Sequence, residues 1–179
     1  DINYQGKSFR VNSHLFGQFN ATNIIAAIFI GLTHEISIEH CIEAIEGYIP
    51  TNMRSQILPF LTDKKIILDA YNANPSSVEA ALRNFASIEA DRPKLAVLGD
   101  MLELGPEGKS EHIRIAALCD SLALTAVFVG PLYADAVGGG AFKDLNALLA
   151  SWAGSAPKDT LILLKGSRGM RLEQLVPLL

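Results

Sequence analysis

The feature that most constrains the fold is an alternation of short apolar runs with helix-like stretches after residue 52. Most of these runs lack the polar and apolar alternation of a half-exposed strand, which is typical of strands that are covered on both faces. The pattern predicts an α/β fold class, with a mainly parallel sheet covered by helices. Candidate strands are 56–61, 65–69, 94–99, 126–130 and 160–165, and candidate helices are 75–90, 107–122, 142–153 and 171–178.

The first 52 residues follow a different pattern. Residues 2–16 alternate between apolar and polar types around Gly6, which predicts a hairpin with this glycine in its turn. Two helical stretches follow, with Asn20 as the expected N-cap of the first and Ser37 at the start of the second. Pro50 disfavours helical geometry in the preceding residue and ends the second helix. We therefore expect a boundary between a domain of residues 1–52 and a domain of residues 53–179.

Composition and charge argue against several classes of function. The net charge is −4 and no long run of Lys or Arg occurs, so nucleic acid is not an expected partner. No apolar run approaches the roughly 18 residues that a membrane span needs. Cys41 and Cys119 lie among helical apolar residues without metal-ligand spacing, which predicts buried free thiols, no metal site and a reducing, cytoplasmic location.

Polar side chains gather where one candidate strand ends, in "LDAYNANP" at residues 68–75. Asp69 leaves the strand at its carboxyl end, and Asn74 and Pro75 are placed as N-cap and first residue of the next helix. Ligands of parallel sheets bind at this edge. The stretch is interpreted either as a tight turn whose side chains satisfy backbone donors or as a ligand-facing corner in which Asp69 accepts hydrogen bonds from sugar hydroxyls.

Two further strand ends carry charged side chains. Asp100 and Glu103 follow one of them and indicate either a solvated loop or contacts to a polar substrate. Lys165 ends another strand and is followed by Arg168 in "KGSRG", where the glycines let the backbone approach a ligand closely. His112 lies at helical spacing from apolar residues, which suits a structural or a functional role equally.

Several stretches resemble the Mur ligases, the ATP-dependent amide-forming family of peptidoglycan synthesis. "GQFNATNIIAA" is similar to the family's Gly-x-His-Asn-x-x-Asn-x-x-Ala-Ala segment, and "PTNMRSQ" is similar to its Pro-x-x-x-Arg linker. "DAYNANPSSVEAAL", "LGDMLELG" and "LKGSRGMRLE" resemble the branch that adds D-alanyl-D-alanine to UDP-N-acetylmuramoyl-tripeptide. Phe19 departs from the pattern, because the family often has His at this place.

The resemblance implies that residues 1–52 are the tail of a central ATPase domain and residues 53–179 a Rossmann-like C-terminal ligase domain. The N-terminal domains, the P-loop and the magnesium ligands would then lie upstream, and the isolated chain would be inactive. "GPEGKS" does not replace the P-loop, because two residues separate its glycines where the motif needs four. The intact enzyme would need ATP and Mg²⁺, and this chain alone would hold neither.

In the mechanism that the resemblance implies, ATP phosphorylates the terminal carboxylate of the UDP-linked muramoyl peptide, and the amine of D-Ala-D-Ala attacks the acyl phosphate. One set of residues would contact the nucleotide: Asn20 and Asn23 at the adenine, Arg54 at the phosphates, Asp69 at the ribose, and Asn72 orienting that corner. A second set would contact the dipeptide or the transferred phosphate: Lys165, Ser167 and Arg168.

Two alternatives stay open at this point. Another Mur-type ligase or a folylpolyglutamate-type ligase would share the nucleotide contacts and differ in the amine that it accepts. A non-catalytic nucleotide-binding module would bind ATP tightly without any other domain, whereas a ligase fragment would bind it weakly. A nicotinamide dehydrogenase is disfavoured, because no GxGxxG opens the first helix after a strand.

Overall fold

A computed structural model describes residues 1–59 and 65–179 of the chain. Within these residues, a two-stranded hairpin and two helices precede a six-stranded sheet with helices on both faces. The elements are β1 (Ile2–Tyr4), β2 (Lys7–Phe9), α1 (Asn20–Thr33), α2 (Ile38–Gly47), β3 (Gln56–Pro59), β4 (Lys65–Asp69), α3 (Pro75–Ser87), β5 (Lys94–Gly99), α4 (Gly108–Ser121), β6 (Thr125–Val129), α5 (Pro131–Val137), β7 (Ala141–Phe142), α6 (Leu145–Trp152) and β8 (Leu161–Lys165).

The large sheet has the strand order β3-β4-β8-β5-β6-β7. β3 pairs with β4 in antiparallel orientation, and the other neighbouring strands are parallel. The prediction of a mainly parallel, helix-covered sheet is therefore confirmed. β8 is the last strand in the chain, yet it lies between β4 and β5, so that Asp69 and Lys165 stand opposite each other where β4 and β8 end.

Two hydrophobic clusters cover the two faces of this sheet. Along β4, Ile67 belongs to one cluster while Ile66 and Leu68 belong to the other, as the two-residue period of a strand requires. α3 and α4 pack on the first face, and α6 and the 3₁₀ helix Leu172–Leu178 pack on the second. Burial on both faces explains why the strand sequences are continuously apolar, since each buried side chain contributes about 1.5–3 kcal/mol.

The predicted hairpin is confirmed, and it is shorter than the pattern indicates. β1 and β2 pair in antiparallel orientation around a turn at Gly6, whose φ of +76° favours glycine. A third hydrophobic cluster, formed by Ile28, Ile38 and Cys41, packs this hairpin against α1 and α2. The first part of the chain thus has its own small core.

Two predicted helix starts are confirmed and one is wrong. Ser37 caps α2 by accepting a hydrogen bond from the His40 backbone N–H, and Asn74 caps α3. Asn20 is not an N-cap: it is the first residue of α1, and Phe19 before it makes no side-chain cap. The Asn20 amide binds other groups of the protein instead.

Other differences concern short elements. The sequence pattern does not predict α5 and β7, because seven and two residues are too few to show a period. Asp144 caps α6 and delays its start to Leu145. Within the candidate helix 171–178, residues Leu172–Leu178 form a 3₁₀ helix with Pro177 inside it. The last two residues of candidate strand 56–61 lie outside the described residues.

The segment between β2 and α1 joins the first part of the chain to the sheet. The Phe16 backbone N–H donates to the Ser55 carbonyl (3.0 Å), and the Phe16 side chain belongs to the first hydrophobic cluster of the sheet. The Gln18 backbone N–H donates to Asn84 Oδ1 of α3 (3.1 Å). These contacts hold the start of α1 beside the corner between β4 and α3.

Candidate functional site

A cleft of about 410 Å³ opens where β4 and β8 end. Its walls come from the start of α1, the segment before β3, the corner between β4 and α3, and the end of β8. The cleft brings together six of the predicted site residues: Asn20, Asn23, Arg54, Asp69, Asn72 and Lys165. Ser167 and Arg168 are not among the residues that line it.

Asp69 and Lys165 form an ion pair in the wall of the cleft. Lys165 Nζ lies 2.8 Å from Asp69 Oδ2 and also donates to the Asn72 carbonyl (2.9 Å). The other carboxylate oxygen, Oδ1, accepts from the Ser55 backbone N–H (3.0 Å). The bonds from Lys165 and Ser55 fix the carboxylate in one orientation, with its side chain 13% exposed, and the bond to Asn72 holds Lys165 in place. A carboxylate has about four acceptor positions, so acceptor capacity is left for a ligand.

The two asparagines of α1 are linked to each other. Asn20 is buried, and its Nδ2 donates to the Phe16 carbonyl (2.6 Å) and to Ser55 Oγ (3.1 Å). Asn23 is exposed and donates to Asn20 Oδ1 (3.0 Å). Both Nδ2 hydrogens of Asn20 are thus used within the protein, so Asn23 is the better placed of the two to contact a ligand. Phe19, which replaces the family's His, also lines the cleft.

Arg54 and Arg168 share one aromatic ring. The Arg54 Cζ lies 4.2 Å from the centroid of the Tyr71 ring, and the Arg168 Cζ lies 5.2 Å from it. Both arginines are exposed and Tyr71 is half-buried. Arg168 therefore adjoins the cleft through Tyr71 and Arg54, although it does not line the cleft itself. The arrangement concentrates positive charge beside Asp69 and Lys165.

The start of α3 forms another wall. Asn74 Oδ1 accepts from the Ser77 backbone N–H (2.9 Å), and Ser77 Oγ accepts from the Asn74 backbone N–H (3.1 Å), which is a reciprocal capping box. Asn72 Oδ1 accepts from the Ala73 backbone N–H (2.8 Å). The asparagines therefore satisfy backbone donors, as the tight-turn interpretation predicts. Asp69 lines the cleft, and its contact with a sugar stays a prediction.

Ser167 lies inside the protein between two loops. It is 5% exposed, its Oγ accepts from the Leu102 backbone N–H (2.9 Å), and its own N–H donates to the Asp100 carbonyl (3.1 Å). The structure thus places Ser167 where it ties the loop after β5 to the loop after β8, away from the cleft. Its assignment to substrate binding stays a prediction that these contacts do not favour.

Asp100 is fully buried, so both interpretations of this acid, as a solvated loop residue and as a substrate contact, are wrong. Its two carboxylate oxygens accept from the backbone N–H groups of Leu132 and Tyr133, each at 2.9 Å. Gly130 leaves space for the carboxylate: its φ is +125°, and a Cβ there would collide with the Asp100 carboxyl group. Asp100 therefore fastens α5 to the end of β5. Glu103 is exposed.

His112 has a structural role. It is fully buried, its Nε2 accepts from the Met101 backbone N–H (3.0 Å), and its Nδ1 donates to the Gly108 carbonyl (2.6 Å). The Tyr133 ring packs edge-on against it, with the two ring centroids 4.4 Å apart.

Two ionisable groups near His112 are affected by burial. Burial raises the pKa of Tyr133 well above its ordinary value, and burial raises the pKa of Cys119 to about 12. The Cys119 thiol and the Tyr133 hydroxyl therefore stay protonated near neutral pH.

The prediction of buried free thiols is confirmed for Cys41 and Cys119. Across residues 1–59 and 65–179, no group of three His, Cys, Asp or Glu side chains is placed to hold a metal ion. Among the described residues, the helices fall short of the length and apolar character that a membrane span requires.

Two residues of the site, Ser55 and Tyr71, are not predicted from the sequence. Ser55 contacts Asp69 through its N–H and Asn20 through its hydroxyl, and nothing in its sequence context marks it. Tyr71 stands in "DAYNANP" directly after the predicted corner, and an aromatic residue among polar ones was the available signal. Its role depends on two arginines from other segments.

A larger cavity, of about 490 Å³, lies near the start of β8. Its lining includes Phe16, Ile57, Ile88 and Leu161, and it contains none of the predicted site residues. Size alone therefore does not identify the candidate site, and the clustering of polar groups does.

Sequence comparison relates the chain to ligases. The family profile "Mur ligase, glutamate ligase domain" matches residues 53–168. The chain is 34% identical over 173 residues to the UDP-N-acetylmuramoyl-tripeptide--D-alanyl-D-alanine ligase of Bacillus subtilis, covering 90% of this chain and 38% of that protein. It is 35% identical over 187 residues to the ligase of the same name from Treponema pallidum, covering 98% of this chain and 40% of that protein. The chain thus spans about two fifths of the length of these curated relatives.

Solved structures show the same relationship. The UDP-N-acetylmuramoylalanyl-D-glutamyl-2,6-diaminopimelate--D-alanyl-D-alanyl ligase from Acinetobacter baumannii superposes with a TM-score of 0.80 and 27% identity, over 93% of this chain and 37% of that one. A MurF ligase from Thermotoga maritima in complex with ADP gives a TM-score of 0.75 at 20% identity, over 92% of this chain and 38% of that one. The second likeness concerns the fold alone.

Proposed function

The chain belongs to the Mur ligase family, and on this premise we propose that it is part of an ATP-dependent ligase that adds D-alanyl-D-alanine to UDP-N-acetylmuramoyl-tripeptide. Relatives of that name align with most of the chain. The reaction would pass through an acyl phosphate on the tripeptide, in the cytoplasm, as the resemblance implies. Residues 1–52 would complete the central ATPase domain, and residues 53–179 would form the C-terminal ligase domain.

One observation carries this proposal: Asp69, Arg54 and Asn23 line a single cleft where β4 and β8 end. The Asp69 carboxylate is held by Lys165 and by the Ser55 N–H, so it offers acceptors in a fixed direction. Two acceptor oxygens on one rigid carboxylate suit the vicinal hydroxyls of a ribose. Hydrogen bonds to such a carboxylate discriminate against a ligand without hydroxyl groups more strongly than an apolar wall does.

Arg54 and Asn23 would hold the remaining parts of the nucleotide. A guanidinium presents five N–H donors in a planar fork that matches phosphate oxygens. An exposed asparagine amide carries a donor and an acceptor, which suits the edge of adenine. Asn72 would steady this corner, because its carbonyl accepts from Lys165. Asn20 would act through Asn23, to which it is bonded.

Across the described residues, no group of three His, Cys, Asp or Glu side chains is placed to hold Mg²⁺. To this chain we assign the binding and orientation of the nucleotide and of the second substrate. Lys165 and Arg168 are the cationic candidates at that second position, and Lys165 already binds Asp69 and Asn72. Arg168 is exposed and better placed to reach an incoming carboxylate.

The test is an assay of phosphate release by the longer ligase that contains this chain. Release should require ATP, the UDP-linked tripeptide and D-Ala-D-Ala together. Arg54→Lys should raise the KM for ATP about tenfold, since Lys keeps the charge and loses the fork. Arg10→Lys, an exposed arginine paired with Asp1, is the matched control and should leave the KM unchanged. A clear preference for a different amine would overturn the assignment.

The isolated chain provides a second check. It should release no phosphate and bind ATP weakly, because the site residues of this chain would contact only one side of a nucleotide. Calorimetry that gives a micromolar Kd for ATP with this chain alone would favour the alternative of a non-catalytic nucleotide-binding module.

A further inference from the structure

Arg54 and Arg168 come from distant segments of the chain and meet on the Tyr71 ring, with their Cζ atoms 4.2 Å and 5.2 Å from its centroid. The two Cζ atoms can therefore be no farther apart than the sum of their distances from the ring centroid. Within the described residues, neither guanidinium is ion-paired with a carboxylate. Four other arginines do have such partners: Arg10, Arg83, Arg92 and Arg114.

Two neighbouring guanidinium groups repel each other, and none of the described carboxylates is ion-paired with either of them. Lys165 adds a third cation nearby, and Asp69 balances only that one. The excess of positive charge at this edge is relieved when an anion binds. We propose that Tyr71, Arg54 and Arg168 together form one oxyanion-binding site, in which the tyrosine ring positions the two guanidinium groups for a shared ligand.

The chemistry of the three side chains supports this assignment. An aromatic face attracts a guanidinium and restricts its rotation, while the N–H edge of the guanidinium stays available. Each long side chain otherwise loses conformational freedom when it binds a ligand, and a ring that already holds it lowers this cost. Two planar forks match the oxygens of a phosphate or of a carboxylate. Tyr71 is thus a positioning residue and not a ligand-binding residue.

The oxyanion has two possible sources, and both share this chemistry. Arg54 lines the nucleotide cleft, so the anion can be a phosphate of the nucleotide. Arg168 lies on the loop after β8, outside the cleft, so the anion can be the carboxylate of the incoming dipeptide. This choice rests on the proposed function, whereas the existence of the site does not.

The experiment is an NMR titration of the isolated chain, observing the Nε–Hε signals of Arg54 and Arg168. Inorganic pyrophosphate serves as the phosphate probe and D-Ala-D-Ala as the carboxylate probe, in separate titrations. At least one probe should move both signals with a single Kd, and the stronger probe identifies the source of the oxyanion. If neither probe moves them, or if the two signals give different constants, the shared site is overturned.

Variants of Tyr71 test the positioning role. Tyr71→Phe keeps the ring and should bind within about twofold of the parent chain, whereas Tyr71→Leu should weaken binding about tenfold. Tyr48→Leu removes another partly exposed tyrosine and is the matched control, which should have no effect. Equal binding by Tyr71→Leu and the parent chain would refute the role of the ring.

If Tyr71→Leu does not fold, a variant of one arginine tests whether the two guanidinium groups share a ligand. Arg168→Ala should weaken the response of the Arg54 signal about fivefold or more, because the remaining guanidinium loses its partner on the ligand. An unchanged Arg54 response would show that the two groups act separately. None of these measurements uses ligase activity, and the pyrophosphate titration does not depend on whether D-Ala-D-Ala is the true amine.

Discussion

Asp69 and Lys165 end two neighbouring parallel strands and bridge them with an ion pair, with Lys165 Nζ 2.8 Å from Asp69 Oδ2. Their side chains are 13% and 3% exposed, so neither charge is fully hydrated. Each depends on the other, because removal of one leaves the other unpaired in a largely dry environment. The same pair joins the strands and sets the direction of the carboxylate in the candidate nucleotide cleft.

Lys165→Met should lower the free energy of unfolding by about 3 kcal/mol, because it leaves the Asp69 carboxylate without its cation. Urea unfolding of the isolated chain measures this loss. Lys109→Met is the matched control, since Lys109 and Asp135 form a 3.0 Å pair that is 59% and 64% exposed. Its effect should stay below about 1 kcal/mol. Equal losses in the two variants would contradict the importance of the buried pair.

Gly130→Ala should destabilise the fold by about 3 kcal/mol or more, because its Cβ would collide with the Asp100 carboxyl group and its φ of +125° is strained for alanine. Thermal unfolding provides the measurement. Gly139→Ala places a Cβ where nothing lies within 4 Å and should change stability by less than about 0.5 kcal/mol. Tolerance of alanine at position 130 would show that Asp100 can move without cost.

Ser167→Ala should cost about 1–2 kcal/mol, because the Leu102 backbone N–H would lose its acceptor in a part-buried place. The comparison is Ser155→Ala, whose exposed hydroxyl only donates back to the Ser151 carbonyl and whose loss should have little effect. Chemical denaturation of both variants measures the free energy of unfolding that each loses. If Ser167→Ala keeps full stability but weakens dipeptide binding, Ser167 is a substrate contact after all.

The Cys119 thiol makes stability depend on pH above about 9. Burial raises its pKa from 9.0 to about 12, so the thiol ionises in the unfolded chain while the native chain keeps it protonated. Stability is unaffected by this group below pH 9 and falls as the pH rises, by about 1.4 kcal/mol at pH 10. Cys119→Ala has no thiol and therefore lacks this loss of stability at high pH. The stability gap between parent and variant should therefore narrow from pH 8 to pH 10 in urea titrations, and a constant gap would exclude the effect.

Much of the architecture follows from local pattern. The apolar runs of β4 and β5 and the cap formed by Asn74 and Pro75 were predicted at their observed positions, because burial on both faces and a helix start each leave a signal within a few residues. α5 left no such signal. It is short, and Asp100, far away in the sequence, holds its first N–H groups.

The sequence by itself determined which residue types stand at the ends of the strands, and hence that carboxylate, amide and guanidinium groups would collect at one edge of a parallel sheet. Only the tertiary structure decided which of them meet. The strand order places β8 beside β4, so Lys165 pairs with Asp69, while Asp100 turns inward and Tyr71 gathers Arg54 and Arg168. Short-range periodicity encodes burial, but the choice of neighbouring strands depends on how helices from distant segments pack over the whole sheet.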